Sequence, residues 1–173
     1  IVASKTVSRK TDVITKLKAA MGNHFAGLFD ECIEHVPREA VIAAAQAVRD
    51  AEPDLIVTVG GGTPIDTVKV LQIALAYDVC DTARLGDYRI RTDADGIVHK
   101  PKMNESRVRQ IIVPTTLSGG EFSDSAGCTN TATKEKDHFG GHAVAGRAVI
   151  LDPAVTIHTP EWLWLSTGIR AVD

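Results

Sequence analysis

The sequence predicts an α/β domain with a mostly parallel sheet and flanking helices. Three observations carry that prediction. Short β-branched runs alternate with stretches of helical period through the first half of the chain. The most compact run, Leu55-Ile56-Val57-Thr58-Val59, passes through Gly60-Gly61-Gly62 directly into a helical segment. Two later runs, Val108 to Val113 and Ala148 to Leu151, resume the strand pattern. Strand, helix, strand, helix in succession is the pattern of an α/β domain.

Each element has its own signal. Ile1-Val2-Ala3 reads as a strand. Val13, Ile14, Leu17, Ala20 and Met21 recur at helical spacing, and Gly22 follows where a C-cap belongs. Pro37 introduces a second helix over 38–50, with Val41, Ile42, Ala45 and Val48 on one face, and Pro53-Asp54 ends it. Residues 55–59 have the continuous apolar character of a strand buried on both sides. After the glycines, Thr63 reads as N-cap and Pro64 as the first helical residue, with Asp66 three beyond the cap. The body of that helix is apolar nearly all round, which predicts an interior position. Residues 78–107 are polar and read as an excursion outside the sheet. Within them Asp93-Ala94-Asp95-Gly96 resembles a hairpin turn between 88–90 and 97–99. Thr115 to about Gly146 is a long polar run without strong periodicity, expected to be functional or mobile. Ala148 to Leu151 reads as the last buried strand, closed by Asp152-Pro153.

Composition narrows the function classes. Of 173 residues, 44% are hydrophobic and 24% charged, an ordinary globular balance. A formal charge of −3 offers no electrostatic grip on nucleic acid, and no apolar run reaches the ~18–20 residues that span a bilayer. Cys32, Cys80 and Cys128 are widely spaced with no C-x-x-C, which predicts reduced thiols and a cytoplasmic location. The chain opens on Ile1 inside a strand and closes on what reads as the start of a helix, so a piece of a longer protein is expected.

The glycine turn carries the chemistry. Phosphate oxygens need several N–H donors at close range, and side chains at the approach would obstruct them. Glycines remove the obstruction, and a helix N-terminus adds free N–H groups with about half a unit of positive charge. Open α/β sheets bind ligands at this carboxyl edge. The spacing is not that of a P-loop, because Lys69 lies well inside the helix, nor G-x-G-x-x-G, because Ile65 replaces the third glycine. Asp66 has two readings, a cap reaching back to the N–H of Thr63 or a partner for a cofactor's polar edge.

Gly60-Gly61-Gly62-Thr63-Pro64-Ile65-Asp66-Thr67-Val68-Lys69 resembles the G-G-G-[ST]-x-x-D-x-x-K signature of the iron-containing alcohol dehydrogenase and dehydroquinate synthase-like superfamily. Pro114-Thr115-Thr116-Leu117-Ser118-Gly119-Gly120-Glu121 resembles that family's P-T-T-x-[GS]-x-x-E loop. Leu151-Asp152-Pro153, Thr159-Pro160 and Thr167-Gly168 resemble its D-P…P…[ST]-G passage, and the style is nearest to the maleylacetate reductases. The resemblance implies a Rossmann-like dinucleotide-binding domain over 1–153, with 154–173 opening a helical metal and substrate domain. It implies NAD or NADP, a divalent metal (iron or zinc) in the full-length protein, and hydride transfer to or from an alcohol, carbonyl or unsaturated keto acid. Carried over by position, Gly61, Gly62 and Thr63 hold the pyrophosphate, with Asp66 nearby. Thr115, Thr116 and Ser118 line the adenosine and ribose side. Lys136 matches a cofactor-contacting lysine, or is a solvated surface lysine beside Lys134. At the end of the first strand, Ser4 and Lys5 leave the choice of NAD or NADP open.

One departure stands out. Arg170 occupies the place where many relatives carry a metal-binding Asp, and a permanently cationic guanidinium cannot ligate a cation. Asp173 is the one nearby substitute, and Arg170 is the alternative contact for an acidic substrate. This chain is therefore expected to hold no catalytic metal. His138 and His142 are four apart, but Gly140-Gly141 opposes a helix there; His24, His35, His99 and His158 read as surface or packing residues. A lyase that uses NAD and returns it unchanged is the competing reaction class, and a fragment that only binds dinucleotide is the third reading. The expected partner is a small-molecule substrate; nucleic acid and membrane are excluded, and a homodimer is left open.

Overall fold

The computed structural model describes residues 1–169. In chain order the elements are β1 (Val2–Ala3), α1 (Lys5–Lys10), α2 (Val13–Met21), α3 (Arg38–Ala51), β2 (Leu55–Gly60) and α4 (Gly62–Ala76). There follow α5 (Thr82–Leu85), β3 (Arg91–Thr92), β4 (Val98–His99), β5 (Arg109–Pro114), β6 (Ser125–Asn130), β7 (Glu135–Gly140), β8 (Ala148–Val149), α6 (Pro153–Thr156) and α7 (Glu161–Gly168). The main sheet has the order β1-β2-β5-β8, every pair parallel. The central pair β2 and β5 is in register from Leu55↔Arg109 to Gly60↔Pro114, so both strands end at one edge.

Helix α4 lies in the interior, as its all-round apolar character predicts. Pro64, Ile65 and every residue from Thr67 to Ala74 are buried. It packs with α3, whose Val41, Ala44, Ala45 and Val48 face the same core. Helix α2 ends on Gly22 at φ 51°, and the Gly22 N–H donates to the Lys18 carbonyl, a C-cap that glycine reaches without a Cβ penalty. The three cysteines are free. Burial pushes the Cys32 thiol up to about 11 and the Cys128 thiol up to about 12, so both stay protonated at neutral pH.

Several expectations need correction. The last strand shrinks to Ala148–Val149 at the sheet edge, and Ile150 and Leu151 are 51% and 65% exposed. Leu55 is 40% exposed, so β2 is buried only from Ile56 onward. The 78–107 excursion does hold a two-stranded pairing apart from the main sheet. It lies at Arg91↔His99 and Thr92↔Val98, further along the chain than 88–90. The polar run after Thr115 is not irregular, for β6 and β7 form a six-pair antiparallel hairpin from Ser125↔Gly140 to Asn130↔Glu135. His99 has a partner, its Nε2 lying 2.8 Å from Asp93 Oδ2.

Candidate functional site

The site begins where β2 turns into α4. Each glycine of the turn has a different reason to be there. Gly60 has φ 152°, and a Cβ would fall 2.6 Å from Pro64 Cγ. At Gly61 a Cβ would meet Thr116 Cγ2 at 2.9 Å and Oγ1 at 3.0 Å, so the neighbouring loop itself requires glycine. At Gly62 the nearest atom is Ser118 Oγ, 3.6 Å away, so the protein leaves room there. The helix starts at Gly62 with Gly61 at the cap position and no side-chain cap, which corrects the assignment of Thr63 as N-cap. The amides of Gly62 and Thr63 lack intrahelical partners at a helix start. They stand beside a cavity of about 490 Å³.

Asp66 does not reach back to cap the helix. Its Oδ2 accepts the Gly127 N–H at 3.1 Å, joining α4 to β6. Burial pushes its carboxyl above the usual range, opposed by the Gly127 hydrogen bond and by Lys69, Lys136 and His138. Across the hairpin, a Cβ on Gly127 would run into Lys136 Cε, so the bare backbone lets that lysine lie across the strand. Strand periodicity sorts β7 into two faces. Lys136 and His138 line the cavity. Phe139 is fully buried, and Asp137 is held by the Arg38 guanidinium at 2.6 Å from Nη2 and 3.0 Å from Nε.

Of the residues singled out in the sequence, Gly62, Thr63, Asp66, Ser118 and Lys136 share this one cavity. Gly61 and Thr116 pack against each other behind it, and Thr116 Oγ1 lies 3.3 Å from Ser118 Oγ. Thr115 is buried; its N–H donates to Gly60 O and its carbonyl accepts from Thr159 Oγ1, which ties β2, β5 and the segment after α6 together. Ser4 adjoins Gly60, and Lys5 is ion-paired with Glu31 at 2.7 Å. Arg170 and Asp173 lie outside the described residues. His138 and His142 do not converge, since His142 pairs with Glu105 at 2.8 Å. Among the described residues no three His, Cys, Asp or Glu are grouped to hold a metal ion.

Several cavity residues escaped sequence reasoning, Ser123, Ser125, Ala126 and Gly127 among them. His35 and Val36 line its wall with φ 62° and 52°, a left-handed conformation that is an outlier for β-branched valine. Thr129 holds them there, donating its N–H to Val36 O at 2.8 Å and its hydroxyl to His35 O at 2.7 Å. Nothing in the sequence signals that conformation. A larger cavity, about 580 Å³, opens at the other end of β1 and β2 beside Ile1 and Leu55, away from the glycine turn.

A parallel sheet whose central strand opens through glycines onto a helix N-terminus, beside a polar cavity, defines a Rossmann-like α/β domain. The family model for iron-containing alcohol dehydrogenase matches residues 1–153, and the chain belongs to that family. It is 38% identical to dehydrogenase FUM7 of Gibberella moniliformis, covering 100% of this chain and 41% of the relative. It is 42% identical to maleylacetate reductase 2 of Cupriavidus pinatubonensis, covering 93% of this chain and 36% of the relative. Among solved structures, a 1,3-propanediol oxidoreductase is similar at 26% identity and TM-score 0.81, covering 99% of this chain and 42% of that one. The fold also matches sulfoacetaldehyde reductase of Bifidobacterium kashiwanohense in complex with NAD+, at 22% identity and TM-score 0.82, with 99% and 42% covered. The chain therefore spans less than half the length of these relatives.

Proposed function

We propose that this chain is the NAD(P)-binding part of an oxidoreductase that passes hydride between nicotinamide and a carbonyl, alcohol or unsaturated keto acid. The observation that carries the reading is the open approach at Gly62. The protein leaves space for a side chain, two helix-start amides stand at its edge, and hydroxyls and charges of both signs line the cavity. That is the chemistry a pyrophosphate and its flanking riboses require. Gly61, Gly62 and Thr63 would hold the pyrophosphate, Asp66 and Lys136 the polar groups beyond it, and Ser118, backed by Thr115 and Thr116, the opposite side. The cofactor supplies the hydride when bound; this chain's residues orient it.

Relatives named maleylacetate reductase favour an acidic, unsaturated keto substrate, with Arg170 as its guanidinium contact. The described residues do not fit a metal centre, so no metal-dependent step is assigned to them. Fluorescence titration of NADH and NADPH tests the binding reading, and saturable binding is the expected result. No binding of either would overturn it. In the complete protein, NADH consumption with maleylacetate rather than simple aldehydes is expected; turnover of aldehydes alone would move the substrate reading to simple carbonyls.

A further inference from the structure

Helix α4 is apolar nearly all round, yet Lys69 lies fully buried within it. Its Nζ donates into one short segment, to Gly120 O at 2.6 Å, Ser123 O at 2.7 Å, Ser125 O at 2.9 Å and Ser123 Oγ at 3.0 Å. An ammonium has three N–H donors, so four oxygens saturate it. Three of the four are backbone carbonyls. No carboxylate among the described residues forms an ion pair with it. Burial pushes the Lys69 pKa down, and the charges of Asp66, Asp124 and Glu121 pull it back.

Taking an ammonium out of water is costly, and a methionine would fill the same space without that cost. The segment explains the charge. Between Gly119, at φ 72°, and β6, the chain makes one short turn of 3₁₀ helix, Gly120–Phe122, and otherwise has little regular pairing. Gly120, Ser123 and Ser125 nevertheless form a wall of the 490 Å³ cavity, whereas Lys69 does not line it. One turn of α4 earlier, Asp66 holds β6 through Gly127. The two charges, at i and i+3 on the same helix, therefore hold two successive parts of one wall.

We propose that Lys69 is a positioning residue for the cofactor cavity, its buried ammonium gathering the carbonyls of residues 120–125 into the wall against which a dinucleotide lies. The inference rests on the dinucleotide reading above. Lys69 acts through the wall and touches no ligand itself.

The test is Lys69→Met in the complete protein, followed by hydrogen exchange of peptides spanning 118–127 and by NADH titration. The expected result is a folded variant whose exchange rises in 118–127 but not in β2 or β5, and whose NADH Kd rises about 10-fold or more. A lysine that serves only global stability would lower Tm and raise exchange throughout, leaving the Kd of the folded protein unchanged. That result would overturn the proposal. If Lys69→Met does not fold, Ser123→Ala removes one of the four acceptors. It should raise both local exchange and NADH Kd, the latter by about 3–5-fold; no change in either overturns the proposal. If the wild-type protein binds neither NADH nor NADPH, the dinucleotide reading falls separately. Exchange alone then decides Lys69, and an undisturbed 118–127 segment in the variant counts against it.

Discussion

Asp66 on α4 accepts the backbone N–H of Gly127 on β6 at 3.1 Å, across 61 residues of sequence. That bond fixes the hairpin carrying Lys136 and His138 against the helix whose start forms the glycine turn. The carboxylate serves this bond at an energetic cost, because burial raises its pKa. The sign of the linkage follows. Below about pH 3.9 the group is protonated in both folded and unfolded chains. As pH climbs from there through the raised folded value, the unfolded chain releases its proton first, so stability falls. Asp66→Asn retains an oxygen for Gly127 and removes the titration. Its Tm at pH 7 should exceed the wild-type value, by about 2–4 °C for each kcal/mol recovered, while its NADH affinity falls. Melting curves across pH 3–7 check this; a variant less stable than wild type at pH 7 would contradict it.

The glycine turn separates a folding requirement from a ligand requirement. A Cβ at Gly61 would fall 2.9 Å from Thr116 Cγ2, so Gly61→Ala should cost on the order of 1–3 kcal/mol through overpacking, whatever it does to binding. Replacing Thr116 by alanine as well leaves its Cβ 3.6 Å from the new methyl and should restore most of that loss. Gly62 is free of such contacts, and alanine is the better helix former by roughly 1 kcal/mol. Gly62→Ala should therefore keep or raise Tm while weakening NADH binding by about 10-fold. Equal NADH affinity in this variant would show that the space at Gly62 is not where the cofactor lies.

How much of this was legible in the sequence depends on the range of the forces involved. The strand at 55–60 and the helix after it are local, fixed by β-branched residues, glycines and an apolar helix, and the sequence predicts both. The hairpin β6–β7 is different. Its first strand, Ser125-Ala126-Gly127-Cys128-Thr129-Asn130, lacks bulky β-formers, and its partner is mostly charged or polar. Long-range contacts hold its position, among them Asp66 to Gly127, Thr129 to His35 and Arg38 to Asp137, which lie 61, 94 and 99 residues apart in sequence. No periodicity encodes them. Ala148 to Leu151 misleads in the opposite direction, since its apolar composition suits a core strand but its place is the sheet edge. In the site, the signature positions were readable, whereas His35 enters the cavity through a left-handed backbone that Thr129 imposes.

Arg38 and Asp137 make the buried ion pair of the hairpin, with side chains 7% and 9% exposed. The guanidinium also donates to Thr82 O at 3.0 Å, and Arg89 approaches the other carboxylate oxygen at 3.5 Å. Removing one partner strands a buried charge, at a typical cost of about 3–5 kcal/mol. Asp137→Ala should therefore lower stability by that order, and Asp137→Asn by less, since an amide oxygen still accepts from Arg38. Chemical denaturation measures both. Equal losses in the two variants would mean that the hydrogen bonds to Arg38 contribute little.

The choice between NAD and NADP can be tested at Lys5. At the end of β1, Ser4 donates its N–H to Val59 O and lies against Gly60, which puts the start of α1 at the same sheet edge as the glycine turn. A lysine at this edge can select the 2′-phosphate of NADP only if its charge is available. Here its ammonium is 2.7 Å from Glu31, and the same carboxylate also pairs with Arg9. Those two cations hold the Glu31 carboxyl below its usual range, so it stays ionised and continues to neutralise Lys5 at any working pH above the acid range. The wild-type protein should consequently show little preference for NADPH. Glu31→Gln removes the competing charge and should raise NADPH affinity relative to NADH, by about 3–10-fold at low salt. Its stability should change little, because exposed ion pairs contribute little to folding. Raising the ionic strength should erase the gain, since salt screens the attraction between an exposed lysine and a phosphate. Parallel NADH and NADPH titrations of wild type and Glu31→Gln at two salt concentrations give the answer. An NADPH-to-NADH ratio unmoved by the substitution would remove Lys5 from cofactor selection and leave Ser4 as the residue to vary.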